Sequence, residues 1–483
     1  MIDLRPVFFV ISILLAILAA AMALPAAVDV ALDDPDWAVF AGAAAVTGFF
    51  AASSALTTRP SGEIRITLHQ AFLLTALSWL AISVFGALPF YFSSLDLDFI
   101  DSFFESVSGL TTTGSTVITG LDNAPAGILL WRALQHWLGG IGIIAMAIAI
   151  LPMLRVGGMQ LFRMESSDRS EKVMPRATQF AATLLYVYFF FSVICTLAFW
   201  AAGMTFFEAV CHMMASISTG GFSTSDMSLA HFDSPLIEAI AMTFMLLGAL
   251  SFPLYISALQ GRWGTLWRNQ QFRGFMLFIA LVTIALTLWQ WRVNDMALLT
   301  SLRHSLFSVV SIITTTGFTT IDYSLWGGFP VAVFFFLTFV GGCTGATTGG
   351  IKIFRFQVLY AIVRAQIRRL VQPHGVFVPT YQGREVTDSI ALSVIAFIFM
   401  YGVSFTVLSV GLGACGLDFV TAVSGAATAL GNVGPGLGDI IGPAGNFATI
   451  PDSAKFLLAI GMLLGRLEFM TLIIVFLPRF WRQ

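Results

Sequence analysis

Ten apolar stretches recur along these 483 residues, near 8–24, 39–56, 71–92, 127–154, 180–202, 235–259, 275–291, 331–356, 390–412 and 454–477. A helix needs about 20 apolar residues to cross a hydrocarbon core roughly 30 Å thick. Inside lipid every backbone N–H and C=O must be paired within the protein, which leaves helices or a closed barrel. Runs of this length predict an all-α polytopic membrane protein. Composition agrees, with 57% hydrophobic residues and only 10% charged, more than a soluble domain could bury. The first stretch follows Arg5 and ends among small residues, but it is long for a signal's apolar core and is read as a retained helix.

Charge sets the expected orientation, because loops rich in Lys and Arg stay in the cytoplasm. Arg5, Arg59 with Arg65, the cluster Arg155, Arg163, Arg169, Lys172 and Arg176, the group Arg262, Arg268 and Arg273, the segment from Lys352 to Arg384, and Arg479 with Arg482 fall on one side if spans alternate. Both termini are then cytoplasmic. The opposite loops carry acids, among them Asp33, Asp34, Asp36, Asp96, Asp98, Asp122, Asp226, Asp233, Asp322 and Asp439. An acidic outer face concentrates cations. Taken singly, each acid is better explained as ordinary solubilising charge.

A short Thr/Ser/Gly signature follows a brief apolar run four times: Thr111-Thr112-Thr113-Gly114, Ser218-Thr219-Gly220-Gly221, Thr314-Thr315-Thr316-Gly317 and Gly431-Asn432-Val433-Gly434. The last glycines stand 107, 96 and 117 residues apart. Each preceding run, at 101–110, 206–217, 302–313 and 418–430, is too short to cross and is led in from the outer side. These runs are expected to be re-entrant helices whose C-terminal ends, each equivalent to about half a negative charge, converge on one axis. Glycine lets carbonyls turn the same way, and a ring of carbonyls can replace a cation's hydration shell. One such signature alone is explained by a glycine closing a helix C-terminus; four in register are not. In the fourth, Asn432 and Val433 replace threonines, so backbone oxygens rather than hydroxyls must carry the shared chemistry.

The unit of crossing helix, pore helix, filter and crossing helix, four times over with one filter glycine each, resembles the Trk/Ktr/HKT superfamily of potassium transporters. Two extra helices before the first unit and the length of the chain make it most similar to the bacterial TrkH/TrkG branch, and Gly431-Asn432-Val433-Gly434-Pro435-Gly436 in the last unit also agrees with the family pattern. The resemblance implies four pseudo-symmetric repeats around a central pore, at 66–176, 177–272, 273–384 and 385–483, behind a two-helix extension at 1–65. It implies filter residues Thr112, Thr113, Gly114, Thr219, Gly220, Gly221, Thr315, Thr316, Gly317, Asn432, Val433 and Gly434. Potassium would bind at Thr112, Thr113, Thr219, Gly220, Thr315, Thr316, Asn432 and Val433. It also implies a homodimer in the bacterial inner membrane, in contact with lipid, and a cytoplasmic nucleotide-binding regulator of the TrkA type.

A second feature is Gly341-Gly342-Cys343-Thr344-Gly345-Ala346-Thr347-Thr348-Gly349-Gly350, followed by Lys352. It is no phosphate loop, since Ile351 stands where the lysine belongs. Small residues here allow either close helix packing or a flexible segment across the conduction path. The resemblance favours a gate built from Gly341, Gly342, Thr344, Gly345, Gly349, Gly350 and Lys352, with Arg466 as its charged partner. A charge at mid-membrane costs about 2.5–3.5 kcal/mol on insertion scales, so Arg466 needs a partner. The loop's carbonyls or Glu468 could serve, or the side chain could snorkel. Arg132 is expected to snorkel from the outer end of its helix.

Cys195, Cys211, Cys343 and Cys415 are isolated, the six histidines are scattered, and no nucleophile sits beside a base, so no enzyme, organic cofactor or nucleic-acid partner is expected. Candidate docking surfaces for a regulator are 154–176 and the stretch from Arg355 through Arg364, Arg368 and Arg369 to Arg384, although such bases also serve orientation and lipid contact. A sodium-permeable or weakly selective cation channel is the alternative, because one glycine per filter gives few coordinating layers. An organic-solute transporter would have inverted halves; these repeats run in the same sense.

Overall fold

The computed structural model describes residues 3–59, 66–149, 177–467 and 472–482. Two leading spans, α1–α2 (Arg5–Ala21, Ala23–Ala31) and α3 (Trp37–Thr58), pack together and against the first helix of the first repeat. That repeat consists of α4–α5 (Leu68–Gly86, Leu88–Phe92), the short α6 (Phe99–Leu110) and α7 (Ala126–Ala149). The second has α8 (Ala177–Ala201), α9 (Phe206–Ile217) and α10–α11 (Pro235–Ala249, Phe252–Leu259). The third has α12 (Gln270–Val293), α13 (Leu298–Ile313), α14 (Gly328–Leu337) and α15 (Ile353–Val371). The fourth has α16 (Asp388–Ala414), α17 (Phe419–Gly431) and α18 (Asp452–Arg466).

The short helices α6, α9, α13 and α17 lie where the apolar runs predict them. Three begin at side-chain caps that take up otherwise unpaired N–H groups. Asp98 accepts from the Asp101 N–H at 2.7 Å, Asp418 from the Thr421 N–H at 3.1 Å, and Thr205 with Glu208 forms a reciprocal capping box.

The crossing stretches depart from expectation in two places. Among the described residues six helices are long and apolar enough to cross alone. The run at 235–259 is not one helix, because α10 and α11 meet at 92°. The run at 331–356 is not one either: α14 ends at Leu337, and the chain returns through strands β1 (Val340–Gly341) and β2 (Ile351–Lys352) before α15. The strands pair in parallel, Val340 with Ile351 and Gly341 with Lys352. The run at 454–477 is helical to Arg466, and residues 468–471 lie outside the description. Apolar composition measures a segment's preference for lipid, whereas both breaks are covered by protein, where irregular backbone is tolerated.

Candidate functional site

All four short helices end in the same backbone motif. One residue at the end of each takes left-handed angles: Thr112 (φ 51°), Thr219 (φ 54°) and Thr315 (φ 54°), each just after the C-cap, and Asn432 (φ 52°), the C-cap itself. The next N–H reaches back five residues, Thr113 to Ser108 O at 2.9 Å, Gly220 to Ala215 O at 2.8 Å, Thr316 to Ser311 O at 2.9 Å and Val433 to Thr428 O at 3.1 Å. This is a Schellman closure in which Thr or Asn, not Gly, takes the left-handed position. The glycine C-cap reading is therefore displaced by two residues. Asparagine tolerates such angles, whereas a β-branched threonine is strained there.

The signature glycines have a separate task. Gly114 (φ 86°), Gly221 (φ 85°), Gly317 (φ 79°) and Gly434 (φ 111°) also have positive φ. A Cβ on Gly114 would collide with the carbonyl oxygen of Gly220, one on Gly221 with that of Thr316, and one on Gly317 with that of Val433. One on Gly434 would lie 2.9 Å from the Thr113 oxygen. Each turn thus abuts the next, and the fourth meets the first, so the four turns close a ring. On one side the four glycines line a cavity of about 530 Å³ that Asp226 and Asp439 also border.

On the other side lies the 341–350 loop, with Cys343, Thr344, Ala346, Thr347 and Thr348 buried. The α10–α11 break supplies it with free backbone groups. Ala249 O accepts from the Cys343 N–H at 2.9 Å, Gly248 O from the Thr347 N–H at 3.2 Å, and the Phe252 N–H donates to Gly345 O at 3.1 Å. The Thr344 N–H donates to Gln271 Oε1 at 3.0 Å, and Lys352 Nζ donates to the carbonyl and, at 2.9 Å, the hydroxyl of Thr348. Gly342 and Gly350 flank the strand pair.

The left-handed residues reach toward this loop. The Thr315 hydroxyl accepts the Gly349 N–H at 2.8 Å, and the Thr219 and Thr347 hydroxyls meet at 3.1 Å. Arg466 donates to the Thr112 hydroxyl and, at 2.7 Å, to the Thr347 carbonyl. A Cβ on Gly349 would lie 2.8 Å from the Asn432 Cβ. Of the partners open to Arg466 in the sequence, the loop carbonyl is the one found; Glu468 lies outside the described residues.

A protein-family model described as TrkH, cation transport protein, matches residues 38–483. The chain belongs to the TrkH family. It is 46% identical over 481 residues to the Trk system potassium uptake protein TrkI of Halomonas elongata, covering 99% of this chain and 97% of that one. It is 40% identical over 431 residues to the Trk system potassium uptake protein TrkH of Escherichia coli K12, 88% of each. The crystal structure of the potassium transporter TrkH from Vibrio parahaemolyticus superimposes with a TM-score of 0.91 at 35% identity over the whole of both chains. This TrkH-family chain is a membrane transport protein and not an enzyme.

Two sequence expectations for this family member fail. Arg132 does not snorkel: it is 1% exposed and bonds Glu105, itself 0% exposed, at 2.7 Å. Arg355 is no docking residue, because it is buried with its guanidinium 3.5 Å from the centroid of the Phe397 ring, whereas Arg364, Arg368, Arg369 and Arg384 are exposed. Residues 154–176, with Arg155, Arg163, Arg169, Lys172 and Arg176, and Arg65 lie outside the described residues. Sequence reading also missed the α10–α11 break; Ser251-Phe252-Pro253, a helix start with proline in its first turn, was its available sign.

Proposed function

We propose that this chain takes up potassium across the bacterial cytoplasmic membrane through the ring of four turns, and that the 341–350 loop with Arg466 closes the path beneath it. The observation that carries the reading is the closure of the ring, each filter glycine set against the carbonyl of the next turn. Four helix C-terminal ends meet there, a favourable place for a cation. The hydroxyls of Thr112, Thr219 and Thr315 are engaged by Arg466, Thr347 and Gly349, so the backbone oxygens of Thr112, Thr113, Thr219, Gly220, Thr315, Thr316, Asn432 and Val433 are the ligands. Ions enter through the cavity bordered by Asp226 and Asp439, shed water at the ring, and move down the electrochemical gradient.

The repeats take the boundaries 66–176, 177–272, 273–384 and 385–483 after an extension at 1–65. Both termini are cytoplasmic, the unit is a lipid-embedded homodimer, and a nucleotide-binding TrkA-type subunit governs the gate. The relatives' names, Trk system potassium uptake protein, support potassium as the substrate.

The test is growth rescue and rubidium uptake in a host stripped of its own potassium systems. Rescue with uptake that excess sodium leaves intact is the expected result. Absent flux with the protein in the membrane would sink the proposal, and strong sodium competition would favour the weakly selective channel.

A further inference from the structure

One wall of the ring contains an ion pair that the conduction scheme above does not use. Glu105, on α6, accepts from Arg132 Nε at 2.7 Å, from the Thr116 hydroxyl at 3.0 Å and from the Val117 N–H at 3.0 Å. Arg132, on α7, donates further to the Thr116 hydroxyl at 3.1 Å and to the Ser223 carbonyl at 2.9 Å. Thr116 lies two residues beyond Gly114 and Ser223 two beyond Gly221. The pair therefore fastens the segment leaving the first turn to the segment leaving the second.

The same face of α7 holds the second turn again one helical turn along. The Arg132 guanidinium stands 4.1 Å from the centroid of the Phe222 ring, and the His136 imidazole stacks on that ring at 4.1 Å. His136 Nε2 accepts from the Phe222 N–H at 3.2 Å, while its Nδ1–H donates to Gly109 O at 2.6 Å, near the end of α6.

The arrangement is not fourfold. Counting from each last glycine, the position of Glu105 is taken by His212, Ser308 and Gly425, and that of Thr116 by Ser223 in the second repeat. His212 Nε2 lies 3.0 Å from the Ser223 hydroxyl, an uncharged counterpart. The ionic form joins the first and second turns.

We propose that Glu105 and Arg132 are positioning residues for ion selection: they set the spacing of the first and second turns and so the width of the ring there. This rests on the ring being the filter. A ring of carbonyls discriminates by the size and field of its oxygens, and groups that orient ligands from behind tune binding without touching the ion. A buried pair also holds its geometry, because separation would leave an unpaired charge.

The experiment compares rubidium uptake and its inhibition by sodium for wild type, Glu105→Gln, Arg132→Lys, Thr116→Val and, as a control on the filter itself, Gly221→Ser, each normalised to protein in the membrane. Glu105→Gln and Arg132→Lys are expected to lose about tenfold in potassium-over-sodium discrimination, the low end of what loss of a ligand-orienting group costs. Thr116→Val, which retains the ion pair, is expected to lose less. A merely structural role would lower the amount of protein or the flux without moving the ratio. An unchanged ratio in Glu105→Gln and Arg132→Lys with an altered ratio in Gly221→Ser overturns the positioning role alone; an unchanged ratio in all four overturns the filter reading. If Glu105→Gln fails to reach the membrane, Arg132→Lys and Thr116→Val decide, and a wild-type ratio in both overturns the proposal.

Discussion

The Arg466 guanidinium donates at 2.7 Å to the main-chain carbonyl of Thr347, tying the end of the last crossing helix to the middle of the 341–350 loop. The same guanidinium also reaches the Thr112 hydroxyl, so one side chain bridges a filter turn and the loop. Hydrogen bonds to charged groups are worth about 1.5–3 kcal/mol each. Arg466→Ala should therefore favour the displaced loop and raise rubidium uptake several-fold in cells lacking other potassium systems. Wild-type flux from a normally inserted variant would count against the gate.

A second contact makes the same point without touching charge. Thr315→Val removes the acceptor of the Gly349 N–H, now 2.8 Å away, at a cost of about 1 kcal/mol to the closed loop. Gly349→Ala places a methyl against the Gly431 carbonyl and the Asn432 Cβ. Both variants should raise uptake, Gly349→Ala more strongly because the collision is with backbone. Equal or lower flux in both, at normal membrane levels, would show that the loop's seat does not govern passage.

The four short helices were legible in the sequence to within a few residues: α9 spans the predicted 206–217, and α6 and α13 begin two and four residues before the predicted 101 and 302. Glycine spacing and apolar runs are local signals, and the ring follows from repeating them. What escaped depends on partners far apart in the chain. The break after Ala249 exists because Gly248 and Ala249 hand their carbonyls to Thr347 and Cys343, about a hundred residues onward. Arg132 reads as an outer-end arginine until Glu105 and Ser223 are brought beside it. Arg355 sits in a basic run and is set apart from its neighbours by burial against the Phe397 ring.

Glycines with positive φ should separate by what surrounds them. Gly120 (φ 75°) has open space where a Cβ would go, whereas Gly221 faces the Thr316 carbonyl. Gly120→Ala should cost about 1 kcal/mol of backbone strain and leave the sodium sensitivity of uptake unchanged. Gly221→Ala should widen or break the ring and abolish selective uptake. Competition of rubidium flux by sodium in the two variants checks the contrast, and matching behaviour would remove the case for the ring as the selecting element.

Asn432 gives the strongest test of why the fourth turn departs from threonine. Its φ of 52° suits asparagine, and its amide Nδ2 donates to the Thr113 hydroxyl at 3.0 Å and to the Met462 carbonyl at 2.9 Å. It thereby joins the fourth turn to the first and to the last crossing helix. Asn432→Ala loses two buried hydrogen bonds, each worth about 0.5–1.5 kcal/mol, and leaves a Cβ residue at left-handed angles for about 1–2 kcal/mol more. The purified variant should lose its monodisperse gel-filtration peak at a lower temperature than wild type, with weaker discrimination against sodium. Asn432→Thr tests the side chain's reach. Threonine stands at the matching position in the other turns but is too short to span both Thr113 and Met462, so this variant should fall between alanine and wild type. Wild-type thermal stability and selectivity in Asn432→Ala would mean that the fourth turn is held by its backbone alone.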